Sequence, residues 1–199
     1  MIVVFDLGRV LVGLDLDWPR QLDLEPGPVR EWFAASPAFR AFECGELSEE
    51  RFLSAFGAAF DRDDLDALRD AFAGCVTGLL PGAIELLDAI QAPCAALSNT
   101  NSIHWSVFDP ERALRSRLLP LASHHLGSRK PEPLIFQRAD EIWGQRPVLF
   151  LDDNAENIRA ARAHGWVAEQ VVGVEQATSA LRRHGVLAPP HAGAGSTRI

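Results

Sequence analysis

Three short apolar runs end abruptly on polar residues: IVVF at 2–5 stops at Asp6, CAAL at 94–97 stops at Ser98, and VLFL at 148–151 stops at Asp152. Runs of this length without polar alternation have the pattern of strands buried on both faces, as in a parallel sheet. The pattern predicts strands over 1–5, 94–97, 148–151 and 167–172. Apolar residues at helical intervals predict helices over 81–90, where Pro81 and Gly82 open the segment, and over 131–143, 155–164 and 176–184. Such alternation specifies an α/β fold on a doubly wound parallel sheet.

From about Asp15 to Gly78 the character changes. β-branched residues become sparse, and Phe52, Phe56 and Phe60, then Leu65, Leu68 and Phe72, recur at the spacing of a helix face. In GELSEERF, Ser48 precedes Glu49 and Glu50 as a helix N-cap would. The expected organisation is an α/β core from 1–14 and 79–187, an inserted helical cap over 15–78, and a flexible tail at 188–199, where APPHAGAGSTRI has no core pattern. No internal repeat or long linker separates these parts, so the insertion is expected to fold onto the strand ends.

Composition narrows the classes of partner. At 199 residues and 47% hydrophobic content the chain can bury one core and a small accessory lobe. A net charge of -8 excludes a general binder of nucleic acid or anionic membrane, since both need a basic face. Cys44, Cys75 and Cys94 lie far apart without metal-ligand spacing and are expected as free core thiols. The apolar start meets Asp6 after four residues, too short for a signal-peptide core, and no 18-residue apolar run follows. A cytoplasmic protein is the expectation.

The chemistry lies where the strands stop. FDLG, LSNTN and LDDN each follow a predicted strand, and RKPEP lies between the last two. Ligands bind at the carboxyl ends of strands in open α/β sheets, so an acidic nucleophile, hydroxyl and amide donors, a lysine and an acidic pair converge there on one small anion. The reading is of a phosphate-handling enzyme.

In this order FDLGRVL, LSNTN, RKPEPLIF and LDDNAENI resemble the four motifs of the haloacid dehalogenase superfamily. Within it the chain most resembles the sugar-phosphate phosphatases with a helical cap, the α-D-glucose-1-phosphate phosphatase group among them, and the phosphatase domain of epoxide hydrolases. The resemblance implies a Rossmann-like core, Mg2+ as cofactor and an aspartyl-phosphate intermediate. Position by position, it implies Asp6 as nucleophile, Asp6, Asp153 and the carbonyl of Gly8 as Mg2+ ligands, and Asp152 as an auxiliary acid. Ser98 would bond a phosphoryl oxygen, the backbone of Asn99 at a helix start would add donors, Lys130 would offset negative charge, and the Asn157 amide would orient its neighbours. The implied partner is a small phosphorylated metabolite, with a sugar phosphate as the first expectation. Oligomeric state is left open.

The motif departs from its usual form at Gly8, where most relatives carry a second aspartate as general acid and base. Such a group is worth roughly a hundred- to ten-thousand-fold in rate. Three consequences stay open. The substrate has a leaving group that needs little proton help; an acid of the insertion, Glu43, Glu46, Asp15 or Asp17, substitutes; or the protein binds phosphorylated ligands without useful turnover and regulates a partner. Haloacid dehalogenation is a further alternative, but the Asp152 and Asp153 pair favours phosphate. His124 and His125 have no ligand spacing and receive no role, and Arg129 is read as a turn charge. Trp18, Trp32 and Phe39 either line a sugar face or pack the insertion's helices.

Overall fold

Ile2, Val3, Val4 and Phe5 are all buried because β1 (Ile2–Phe5) occupies the middle of a five-stranded parallel sheet. Its neighbours are β4 (Cys94–Ser98) on one side and β6 (Val148–Asp152) on the other, flanked by β5 (Leu119–Ala122) and β7 (Val167–Gln170). The computed structural model describes residues 1–114, 116–144 and 147–188. The tail expected at 188–199 therefore lies, beyond Ala188, outside the described residues.

Side chains alternate across the central strand. Val3 and Phe5 join Ala96, Leu149 and Leu151 under α5 (Ala83–Ala89) and α11 (Gly173–Arg183). Ile2 and Val4 join Leu97, Val148 and Phe150 under α9 (Pro133–Trp143) and α10 (Ala155–His164). Each such side chain contributes about 1.5–3 kcal/mol on burial, so the centre of the sheet is a rigid platform.

The predicted elements are found with shifted ends. The strand expected to reach 172 stops at Gln170, and the helix after it starts at Gly173 rather than 176 and ends at Arg183. The helix expected from 131 begins at Pro133, because 129–132 form a turn closed by the Glu132 N–H on the Arg129 carbonyl. The helix expected over 81–90 spans Ala83–Ala89. β5 was not anticipated. It contains Pro120, which the sheet tolerates because β5 is an edge strand.

Between β2 (Val12–Leu14) and β3 (Val76–Leu79), an antiparallel pair that the sequence pattern did not suggest, the chain is helical. It forms a 3-10 turn at Trp18–Leu22, then α1 (Pro26–Ala35), α2 (Pro37–Glu43), α3 (Glu49–Ala59) and α4 (Leu65–Ala73). Ser48 caps α3 by accepting the Arg51 N–H, and Asp64 caps α4 by accepting that of Ala67. These helices share an aromatic core of Trp18, Phe42, Phe52, Phe56 and Phe72, in which Phe42 and Phe52 stack at 4.4 Å. Trp32 packs edge-on against Phe33 at 5.2 Å, as a helix-packing residue does.

After β4 follow α6 (Ser102–Phe108), α7 (Pro110–Leu114) and, beyond β5, α8 (Ser123–Leu126). The end of α2 sits on α8. Gly45 has φ +71°, and a Cβ there would lie 2.3 Å from the His124 carbonyl oxygen, so the chain passes too close for any other residue. Arg40 Nη2 reaches Glu132 Oε1 at 2.6 Å, which ties α2 to the Arg129–Glu132 turn as well. No described helix is long and apolar enough to cross a membrane.

Candidate active site

Asp6 leaves β1 at the sheet's carboxyl edge, and its backbone N–H is held by the Leu151 carbonyl at 2.8 Å. β4 and β6 end level with it, so Ser98, Asp152 and Asp153 arrive at the same edge. Lys130 enters from the turn before α9. It is almost completely buried, and its Nζ donates to Asp6 Oδ1 at 2.8 Å, Asp152 Oδ2 at 2.7 Å and the Leu97 carbonyl at 2.6 Å. The ammonium thus has three oxygen acceptors, and it lies 5.3 Å from the centre of the Phe150 ring.

Asp152 has no free lone-pair direction of note. Its Oδ1 accepts the Asn154 N–H at 2.7 Å, and Asn157 Nδ2 donates to Oδ1 at 3.1 Å and Oδ2 at 3.0 Å. Asp153 is different: it is half-buried and meets Arg9 Nη1 at 2.8 Å. Carboxylate oxygens of Asp6, Asp152 and Asp153 all lie within 4.8 Å of one another. With Asp152 engaged, Asp6 and Asp153 are the carboxylates left with oxygens to offer. Hard oxygen donors in this number suit Mg2+, which keeps several waters and needs few protein ligands.

Burial pushes the Asp6 carboxyl up to about 7; the charge and hydrogen bond of Lys130 oppose that push, while Asp152 and Asp153 add to it. Lys130 shifts upward: burial works against its charge, but the Asp152 and Asp6 carboxylates outweigh it. Burial likewise raises Asp153, with Asp152 adding to the effect and Arg9 opposing it.

A cavity of about 210 Å³ opens beside this cluster, lined by Gly8, Ser98, Asn99, Glu43 and apolar side chains that include Leu14 and Phe39. Gly8 borders it directly: a Cβ at that position would lie 3.8 Å from Asp6 Oδ2 and 3.2 Å from Leu14 Cδ1. His104 also lines the cavity, with Nε2 2.9 Å from the Phe72 carbonyl oxygen, and burial lowers it to about 4.

Asn99 does not stand at a helix start. α6 begins at Ser102, and its N-cap is Asn101, whose side chain accepts the His104 N–H. The Asn99 side chain instead clamps the lysine turn, donating to the Lys130 carbonyl and accepting the Lys130 N–H, both at 2.8 Å. Asn99→Ala would leave two partly buried backbone groups unpaired, at about 1–3 kcal/mol each if no water replaces them. Urea unfolding of that variant is expected to show a lowered midpoint with an unchanged slope.

No family model matches the sequence. Among solved structures, the chain is similar to a HAD family enzyme from Bacteroides thetaiotaomicron in complex with magnesium and inorganic phosphate, at 23% identity and TM-score 0.72 over 85% of this chain and 92% of that one. A predicted HAD-like family hydrolase from Porphyromonas gingivalis matches at 23% identity and TM-score 0.74, over 92% and 96%. The chain has the haloacid dehalogenase fold. The haloacid dehalogenase fold also relates it to L-2-haloacid dehalogenase from Xanthobacter autotrophicus, at 19% identity and TM-score 0.64 over 94% and 84%.

On this haloacid dehalogenase scaffold Asp6, Gly8, Ser98, Lys130, Asp152, Asp153 and Asn157 meet at one sheet edge, while the Asn99 side chain serves the lysine turn. Sequence reasoning did not single out Arg9. The loop after Asp6 folds back on itself, with the N–H groups of Leu11 and Val12 both on the Leu7 carbonyl, and Arg9 takes φ 58°. That turn brings its guanidinium to Asp153, 144 residues away in sequence. His124 and His125 lie on α8 against Trp105, away from the acidic group. All three cysteines are free and buried.

Proposed function

We propose that this chain is a Mg2+-dependent phosphatase that hydrolyses a small phosphorylated metabolite through an aspartyl-phosphate on Asp6. The observation that carries this reading is the buried Lys130 bridging Asp6 and Asp152, with Asp153 beside them at the sheet edge. A lysine so placed orients the carboxylate and neutralises charge that an incoming phosphoryl group would repel. The neighbour from Bacteroides thetaiotaomicron, crystallised with magnesium and phosphate, supports the same reading.

In the proposed reaction Asp6 attacks phosphorus with Oδ2, the oxygen on the Gly8 side, while Lys130 holds Oδ1. The Ser98 hydroxyl and the Asn99 N–H at the tip of β4 would donate to phosphoryl oxygens. Asp6, Asp153 and the Gly8 carbonyl would hold Mg2+, which when bound supplies positive charge that lets a carboxylate approach a phosphate dianion. Asp152 and Asn157 keep Lys130 and the β6 end in place. Residues 15–78 would act as the cap, and the substrate's organic group would occupy the cavity of about 210 Å³ below it. That volume suits a small group, and sugar phosphates are the first substrates to try.

The test is phosphate release from sugar phosphates, acyl phosphates and p-nitrophenyl phosphate, each with Mg2+ and with EDTA. Release that needs Mg2+ is the expected result. Chloride release from 2-chloropropionate that survives EDTA would establish a dehalogenase instead. Binding of sugar phosphates without release would establish a phosphometabolite-binding regulator.

A further inference from the structure

The phosphatase reading leaves one chemical role without a residue. Where a side chain at position 8 would reach toward the leaving group, this chain has a glycine, and Leu14 Cδ1 lies 3.2 Å from where its Cβ would stand. The proton needed by a departing alkoxide must come from elsewhere in the cavity wall.

Of the four acids that the sequence offered, Glu46 and Asp17 are exposed, and Asp15 is tied to the Asp17 N–H at 2.8 Å and lies outside the cavity wall. Glu43 is buried and lines the same cavity as Gly8, Ser98 and Asn99. It is the last residue of α2, and α2 is fixed there by the close passage of Gly45 over His124 and by the Arg40–Glu132 pair. Arg129 Nη1 lies 2.7 Å from Glu43 Oε2 but off the hydrogen-bonding direction, so Oε2 makes no directed hydrogen bond. A buried carboxyl oxygen held by a neighbouring charge but by no directed hydrogen bond calls for an explanation, and Glu43 lines the cavity that a leaving group would occupy.

We infer that Glu43 is the general acid and base of the reaction, supplied by the helical segment in place of a side chain at position 8. The assignment rests on the phosphatase reading. In the first step an Asp6 oxygen forms a bond to phosphorus, the bond from phosphorus to the leaving oxygen breaks, and the Glu43 proton passes to that oxygen, giving the alcohol and the Glu43 carboxylate. In the second step water attacks phosphorus, its proton returns to Glu43, and the bond from phosphorus to Asp6 breaks. Inorganic phosphate, the Asp6 carboxylate and protonated Glu43 result.

The surroundings hold Glu43 in the range this role needs. Burial pushes its carboxyl up to about 7, against the opposing charges of Arg129 and Lys130 and with the Asp6 charge adding to the push. Among the described residues nearby, His104 on α6 and His124 on α8 are both lowered to about 4 chiefly by burial and are neutral at pH 7, while burial raises the adjoining Cys44 thiol and pushes that of Cys75, on the same cavity wall, up to about 11.

The experiment compares Glu43→Gln with wild type on an alkyl phosphate, whose leaving group needs a proton, and on p-nitrophenyl phosphate, whose leaving group does not. Glu43→Gln is expected to lower the alkyl rate by roughly a hundred- to ten-thousand-fold. With p-nitrophenyl phosphate it should give a burst of one nitrophenol per chain and then slow turnover, since the second step lacks its base. The limb of the wild-type profile on which the alkyl rate falls as Glu43 loses its proton should be absent from that of the variant. Alkyl and aryl rates reduced in equal proportion, or unchanged, with no burst, would overturn the assignment while leaving the phosphatase intact. A wild type with no Mg2+-dependent release would overturn both. Should Glu43→Gln fail to fold, Glu43→Asp serves: a selective loss on alkyl phosphates supports the role, and an unchanged alkyl-to-aryl ratio refutes it.

Discussion

Asp6→Asn is expected to abolish turnover, by several orders of magnitude, without unfolding the protein. The amide nearly matches the carboxylate in shape but is a poor nucleophile, and removing a nucleophile is among the largest losses a single substitution causes, about a millionfold in a serine protease. Stability should change little. Lys130 keeps Asp152 and the Leu97 carbonyl as acceptors, and the carboxyl that is lost was itself disfavoured by burial. Because the Asp6 carboxyl titrates above its ordinary range in the metal-free fold, its ionised form weakens the fold as pH rises through about 7. Thermal unfolding in EDTA at pH 8 should therefore place the variant within a few degrees of wild type. A collapse of the melting temperature would mean that Asp6 is structural first.

The largest loss of stability is expected from Lys130→Met. Methionine fills a similar volume, but Asp6 and Asp152 would then face each other in a buried site without their shared cation. Breaking a buried ion pair by removing one partner costs about 3–5 kcal/mol. For a chain of this size that corresponds to a fall in melting temperature of roughly 6–20 °C. The deficit has a pH signature. Burial already raises Asp6, and losing Lys130 removes the charge that opposes that push, so the variant's stability falls as pH rises and the gap to wild type narrows at pH 5. A variant that melts within a degree of wild type at pH 8 would contradict the buried triad.

Much of this arrangement was readable because the strands advertise themselves. IVVF, CAALS and VLFLD are buried on both faces, so they carry no alternation, and each ends where the chemistry begins. β2, with three residues, and β3, with Gly78 at φ +98° inside it, are too short and irregular for a periodic signal. β5 was hidden by Pro120, which only its edge position permits. Among site residues, Asp6, Lys130 and the Asp152–Asp153 pair stood out through their order at the strand ends and the motif resemblance, since each taken singly reads as a cap or turn charge.

Arg9 and Glu43 did not separate themselves in the same way. Arg9 reaches Asp153 only because of a backbone turn, and Glu43 was one of four acids in a helical segment until α2 was seated against α8. The structure places Asn99 differently from the expectation. Its place after a strand suggested helix-start donors, whereas its side chain secures the backbone on both sides of Lys130. These contacts arise from tertiary packing and leave no local periodicity to read.

The most direct test of the central claim is a rapid acid quench of the wild-type protein during turnover of a radiolabelled phosphate ester with Mg2+. The account predicts one labelled phosphoryl group per chain, released by hydroxylamine as an acyl phosphate is, mapping to the peptide that holds Asp6 and absent from Asp6→Asn. Mg2+-dependent turnover with no labelled protein, or with the label on another residue, would contradict it.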